Sequence, residues 1–180
     1  MISQSLQSEK TIKDALWVQQ PVRLRVMVAE DKNALMSILE GTPEFKRAEM
    51  IVAQEVIGCY LNQGMTSGYH MWVAVTGTEE VIGYVCFGET PLTEGTWDIY
   101  WIAVAGTWRG NGVGKLLLQH SEGEIREKGG RMILIETSSK PEYHRARVFY
   151  NRMGYLPVSV ITDFYASGDS KLTFQKLLQQ

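Results

Sequence analysis

The segment TWRGNGVGKLL, Thr107 to Leu117, constrains the fold more than any other stretch of the chain. It sets Gly110, Gly112 and Gly114 between Arg109 and Lys115, after the apolar run TWDIYWIAVA (96–105) and before an apolar-periodic stretch. A strand that leads into a glycine loop and then a helix gathers backbone N–H groups at the positive end of the helix dipole. That is a seat for a phosphate. Glycine at these positions removes the Cβ atoms that would hold a pyrophosphate away. The chain must therefore build an α/β unit in which this strand is buried beside its helix.

Which phosphate is held depends on spacing. A Walker loop would need glycine where Arg109 stands, five residues before Gly114, and Ser or Thr where Leu116 stands. A dinucleotide fingerprint fits better at first. A strand precedes, a helix follows, and Glu136 closes the next strand as a ribose-binding acid would. Its spacing, however, is G-x-x-G after the second glycine, whereas here it is G-x-G. Too little chain follows Glu136 to complete a doubly wound sheet. The remaining reading takes Arg109-x-x-Gly112-x-Gly114 as a pyrophosphate cradle in a different fold.

The rest of the chain supports a mixed sheet. VRLRVMVA (22–29) alternates as a strand, and helices are expected over 30–40 and over 43–64, the second opening at Pro43 and ending at Gly64. HMWVAVT (70–76) and VIGYVCFGE (81–89) form a hairpin. A helix over 111–128, a buried strand at 131–138, a helix over 142–153 and two closing strands complete the order, with the polar TDFYASGDSK (162–171) as their loop. At 180 residues this is one domain over 21–180 preceded by a polar extension, 1–20. A net charge of −2 argues against a broad nucleic-acid face. No segment is apolar enough to span a membrane. Cys59 and Cys86 lack paired spacing and read as reduced thiols, which makes the cytoplasm the expected location. His70, His120 and His144 show no metal spacing, so no metal site is expected.

A second block matches the first. The run from Tyr143 through Ala146, Phe149, Tyr150 and Arg152 to Gly154 and Tyr155 resembles the penultimate helix and following strand of the GNAT N-acetyltransferase superfamily. The loop from Val104 to Gly114 is similar to that family's Gln/Arg-x-x-Gly-x-Gly/Ala loop, which takes the pyrophosphate of acetyl-CoA. The resemblance covers about residues 22–178. It implies a single-domain α/β fold, with a mixed, mostly antiparallel sheet of about seven strands flanked by about four helices. It also implies acetyl transfer from acetyl-CoA to the primary amine of a small molecule or peptide in a ternary complex, without a metal. A non-catalytic CoA-binding module is the competing class, and a homodimer is an arrangement common among similar proteins.

The same resemblance assigns residues. Arg109, Gly110, Asn111, Gly112, Val113, Gly114 and Lys115 would frame the pyrophosphate, and the backbone of Ile102, Ala103 and Val104 would pair with the pantetheine. Tyr143 stands where the family usually has an Asn near the pantetheine. An amine of ordinary pKa is protonated at neutral pH, so a base is needed. The family's acidic position, eleven residues before the loop's arginine, falls on Asp98. Glu136, at the end of the neighbouring strand, is the alternative, and water a third. Tyr150 matches the tyrosine that protonates the leaving thiolate. For the acceptor, Tyr100, Tyr165 and Asp169 are candidates, though an aromatic cluster of Trp97, Tyr100 and Trp101 also reads as core. Asp98, Glu136 and Asp169 together would favour a cationic acceptor.

Overall fold

The computed structural model describes residues 21–178, so the expected extension over 1–20 lies outside the described residues. Seven strands form one sheet: β1 (Arg23–Val26), β2 (Tyr69–Val75), β3 (Val81–Glu89), β4 (Thr96–Val104), β5 (Met132–Ser138), β6 (Leu156–Ala166) and β7 (Asp169–Leu177). Their order is β1-β2-β3-β4-β5-β7-β6. Every neighbouring pair is antiparallel except β4 with β5, the pair joined through the glycine loop and its helix. The helices are α1 (Lys32–Glu40), α2 (Arg47–Gln63), α3 (Val113–Glu127) and α4 (His144–Arg152).

Strand alternation divides the core into two layers. On β3, Val85 and Phe87 point to the side where α3 contributes Val113, Leu117, Leu118 and Ile125 and α4 contributes Tyr150. Tyr84 and Cys86 point to the other side, against Leu35, Ile38 and Leu39 of α1 and Ala53, Ile57 and Tyr60 of α2. A helix pair thus covers each face, and the sheet's central strands are buried on both. On α3, Leu116 is exposed, while Leu118 and Glu122 are buried. Glu122 enters the core because Lys176 Nζ lies 2.8 Å from its carboxylate and the Tyr155 hydroxyl donates to it at 3.1 Å.

Several boundaries differ from the sequence expectation for local reasons. The first strand ends at Val26, and Ala29–Asp31 forms a 3-10 turn. There the Arg25 guanidinium grips Asp31 at 2.6 and 2.8 Å, and the Val28 N–H donates to the same carboxylate at 2.9 Å. α2 begins at Arg47 rather than at Pro43, because the Glu49 side chain accepts from the Lys46 N–H at 2.8 Å and caps the helix there. Residues 41–46 are consequently a connection free to cross the sheet's end. The loop expected over 162–171 shrinks to residues 167–168, since β6 runs through Ala166 and β7 starts at Asp169. Tyr165 and Asp169 are therefore strand residues flanking a tight turn.

Candidate active site

The parallel pair β4–β5 is hydrogen-bonded only from Thr96 to Ile99 opposite Met132 to Ile135. Beyond that point β4 continues to Val104 along β3, and β5 continues to Ser138 along β7, but they no longer pair with each other. The sheet splits into a V whose walls carry unpaired strand edges. A bulge opens it: Cys86 pairs with Trp101 and Phe87 with Ile99, which leaves Tyr100 as the extra residue. The bulge re-aims the side chains that follow. Trp97 and Ile99, and then Ile102 and Val104, all face the α3–α4 core, while Tyr100 is turned out and 37% exposed.

The glycine loop closes the wide end of the V. Gly110 and Gly112 take φ of 84° and 83°, and Gly112 is the N-cap of α3. In these conformations a side chain would be strained. The first-turn N–H groups of any α-helix find no acceptor within it, so those of Val113, Gly114 and Lys115 are offered outward beside the exposed Asn111 and Lys115. Gly114 packs so that a Cβ would lie 3.6 Å from the Phe149 ring. Arg109 does not turn into the loop. Its Nε donates to the Val104 carbonyl at 3.1 Å, and a terminal nitrogen donates to the Thr42 hydroxyl at 2.9 Å.

The 41–46 connection spans the mouth of the V. On the β4 side, Arg109 holds Thr42 and lies 3.8 Å from the Glu44 carboxylate. On the β5 side, the Tyr143 hydroxyl donates to the Glu44 carbonyl at 2.6 Å, and Lys46 Nζ sits 3.6 Å from the Asp169 carboxylate. Burial, with the Glu49 carboxylate beside it, pushes the Tyr143 hydroxyl well above its ordinary range. Asp169 is 1% exposed; the Ser138 hydroxyl donates to it, and Lys140 Nζ is 3.9 Å away.

The two candidate carboxylates share the α1–α2 side of the sheet but differ in state. Asp98 is half-buried, and burial raises its pKa; the Thr90 hydroxyl, donating at 2.6 Å, offsets this in part, while the nearby Glu136 carboxylate adds to the rise. Glu136 is more exposed and paired with Lys171 Nζ at 2.8 Å. Tyr150 lies on the opposite face, 8% exposed among Phe149, Tyr155 and Phe174. Burial pushes its hydroxyl up to about 12, so it is protonated at neutral pH.

Some residues beside the site carried no sequence signal. Thr90 and Lys171 meet Asp98 and Glu136 only through sheet register, and Thr42 and Glu44 meet Arg109 and Tyr143 across many residues of chain. On α4, His144, Arg145, Phe149 and Arg152 line a groove of about 330 Å³ next to the glycine loop, and their helical spacing could have revealed it. Of the expected aromatic cluster, Trp97 is core, Trp101 packs against the α1–α2 layer, and only Tyr100 is open. His120 stacks edge-on against Trp72 at 4.0 Å. Among the described residues no helix is long and apolar enough to cross a membrane.

Comparison with known proteins agrees with this architecture. Residues 67–157 match the family model of the acetyltransferase (GNAT) domain. A GNAT-family protein from Desulfovibrio desulfuricans is 37% identical over 87% of this chain and 99% of its own, with a TM-score of 0.84. The ribosomal-protein-S18-alanine N-acetyltransferase of Escherichia coli shares the fold at 15% identity and a TM-score of 0.70, covering 89% of this chain and 96% of that one. An aminoglycoside 6'-N-acetyltransferase complexed with coenzyme A does so at 17% identity and a TM-score of 0.68, covering 88% and 98%. No curated protein matches the sequence. With its split parallel pair, its glycine loop and a family model matched over half its length, the chain belongs to the GNAT family of acetyltransferases.

Proposed function

We propose that the enzyme transfers the acetyl group of acetyl-CoA to a primary amine by direct attack in a ternary complex. The observation that carries this reading is the split between β4 and β5, with the Asp98 carboxylate on one face of the sheet and the Tyr150 side chain on the other. The edge of β4 at Ile102, Ala103 and Val104, where β5 no longer pairs with it, accepts the pantetheine as an added strand would be accepted, with the Val104 carbonyl already taken by Arg109. Its pyrophosphate meets the amides of Gly110 to Lys115 at the α3 N-terminus, with the Lys115 ammonium beside them. The groove on α4 offers Arg145, Arg152 and the Phe149 ring to the nucleotide end. Arg109 and Tyr143 hold the 41–46 connection across the mouth, which keeps bulk water from the pantetheine path.

Asp98 rather than Glu136 serves as the base, because Lys171 already occupies the Glu136 carboxylate. The raised pKa of Asp98 brings its basicity nearer to the operating range. In the transfer, the amine nitrogen attacks the thioester carbonyl. Before the attack one ammonium proton passes to Asp98, directly or through one water, which frees the nitrogen lone pair; the C–N bond then forms, the C–S bond breaks, and the second nitrogen proton leaves to solvent. Tyr150, neutral at working pH, gives its proton to the leaving thiolate and is reprotonated from solvent. A backbone N–H near Val104 steadies the oxyanion.

Thiol release from acetyl-CoA, followed over a panel of amines, tests the reading. Release that depends on the amine and saturates in both reactants is expected, along with thermal stabilisation by acetyl-CoA. Tight CoA binding with no release from any amine would replace catalysis by ligand sensing.

A further inference from the structure

Beside Asp98 and its neighbour Glu136 lie two sets of exposed aromatic rings that the transfer does not consume. On one flank, Tyr100 is turned out by the β4 bulge and stands edge-on to Tyr69 at 5.5 Å. Gly88 makes room for it, since a Cβ there would come within 3.1 Å of the Tyr100 ring. On the other flank, Lys171 Nζ bridges from Glu136, at 2.8 Å, to the face of the Phe164 ring, 4.4 Å from its centre. Phe164 in turn meets Tyr165 edge-on at 5.0 Å. Phe164 and Tyr165 are 51% and 47% exposed, so half of each ring is left without a protein partner.

Charge narrows what can sit between these flanks. A second ammonium on the acceptor would find its best place between a carboxylate and a ring face. That place, between Glu136 and Phe164, is held by the protein's own Lys171. Asp169, the other acid expected to attract cations, is buried and faces Lys46 and Lys140. Asp98 is then the one carboxylate of the expected three without an ion pair among the described contacts.

We propose that the acceptor is a primary amine carried on an aromatic or bulky apolar body without a second cationic group, the arylalkylamine class. This rests on the reading of Asp98 as the base and narrows the cationic preference suggested by the three acids to a single ammonium. The rings of Tyr100 and Tyr165 take the body of the acceptor, and Lys171 rejects polyamines by like charge.

The test compares kcat/KM for 2-phenylethylamine, ethylamine, spermidine and kanamycin at saturating acetyl-CoA. 2-Phenylethylamine is expected to exceed both polycations at least tenfold. Tyr100→Ala and Tyr165→Ala should each raise its KM several-fold more than that of ethylamine, with the affinity for acetyl-CoA in place. Lys171→Met, which frees Glu136, should raise kcat/KM for spermidine relative to the unaltered enzyme. A preference for spermidine or kanamycin, or equal losses for ethylamine and 2-phenylethylamine in the tyrosine variants, would overturn the proposal while transfer itself stands. Absence of thiol release with every amine, despite bound acetyl-CoA, would remove the transfer reading and this proposal with it.

Discussion

Replacing Thr90 by Val keeps its shape and removes one hydroxyl, the donor to Asp98 at 2.6 Å. A hydrogen bond to a charged group contributes about 1.5–3 kcal/mol, and the half-buried setting argues for the lower end. About 1.4 kcal/mol is a factor of ten in an ionisation equilibrium. The sign follows from which form the bond favours. Thr90 stabilises the carboxylate, so without it Asp98 protonates at higher pH than in the unaltered enzyme. The acid limb of the kcat/KM profile should move to higher pH, with rates on that limb falling about tenfold. The alkaline plateau should hold or rise slightly, because the base becomes stronger. Steady-state thiol release at a series of pH values measures this, with Thr90→Ser as the variant that restores the donor. An unmoved limb in Thr90→Val, or an equal loss at every pH, would refute the positioning role. An acid limb that survives Asp98→Asn unchanged would instead refute the assignment of the base.

Three further outcomes follow from the same geometry. Burial raises the Asp98 pKa, so the folded state holds its proton more tightly than the unfolded chain and stability falls as pH rises through that window. Asp98→Asn should therefore lose activity yet melt higher than the unaltered enzyme at neutral pH, with the gap closing on acidification; calorimetry against pH reads both. Lys176→Met leaves the Glu122 carboxylate buried beside Tyr155 without its cation, which costs about 3–5 kcal/mol. At about 2–4 °C per kcal/mol the melting point should fall roughly 10 °C, and the added Glu122→Gln change should recover part of it. Gly112→Ala places a side chain at φ 83° on the N-cap of α3, so it should weaken acetyl-CoA binding, as titration calorimetry would show, and lower the melting point by a few degrees.

Much of this architecture was legible before any coordinates. The hairpin signal of 70–76 and 81–89 and the density of β-branched and aromatic residues in 96–105 led to strands, and the two glycine-containing blocks located the helices on either side of β5. What could not be read depends on contacts far apart in sequence. Nothing in TWDIYWIAVA says that Tyr100 is a bulge, because the bulge arises from the register with β3. Pro43 looked like a helix start, but the Glu49 cap moved that start to Arg47 and released the connection that Arg109 and Tyr143 now hold. The polar letters of 162–171 suggested a loop. Only residues 167–168 turn, and Asp163 supports that turn by accepting the Gly168 N–H at 2.8 Å. Asp169 read as an acceptor-binding acid in that loop; its lysine partners come from the α2 entrance and the end of β5, which no local pattern links to it.

A crystal structure with acetyl-CoA tests the central claim most directly, because the claim is spatial. The account predicts the pyrophosphate on the amides of residues 110–115, the pantetheine along Ile102–Val104 between β4 and β5, and the thioester carbonyl between Asp98 and Tyr150. Acetyl-CoA bound instead in the cavity of about 710 Å³ beside Arg25, Glu30 and Glu80, with the β4–β5 split empty, would contradict it.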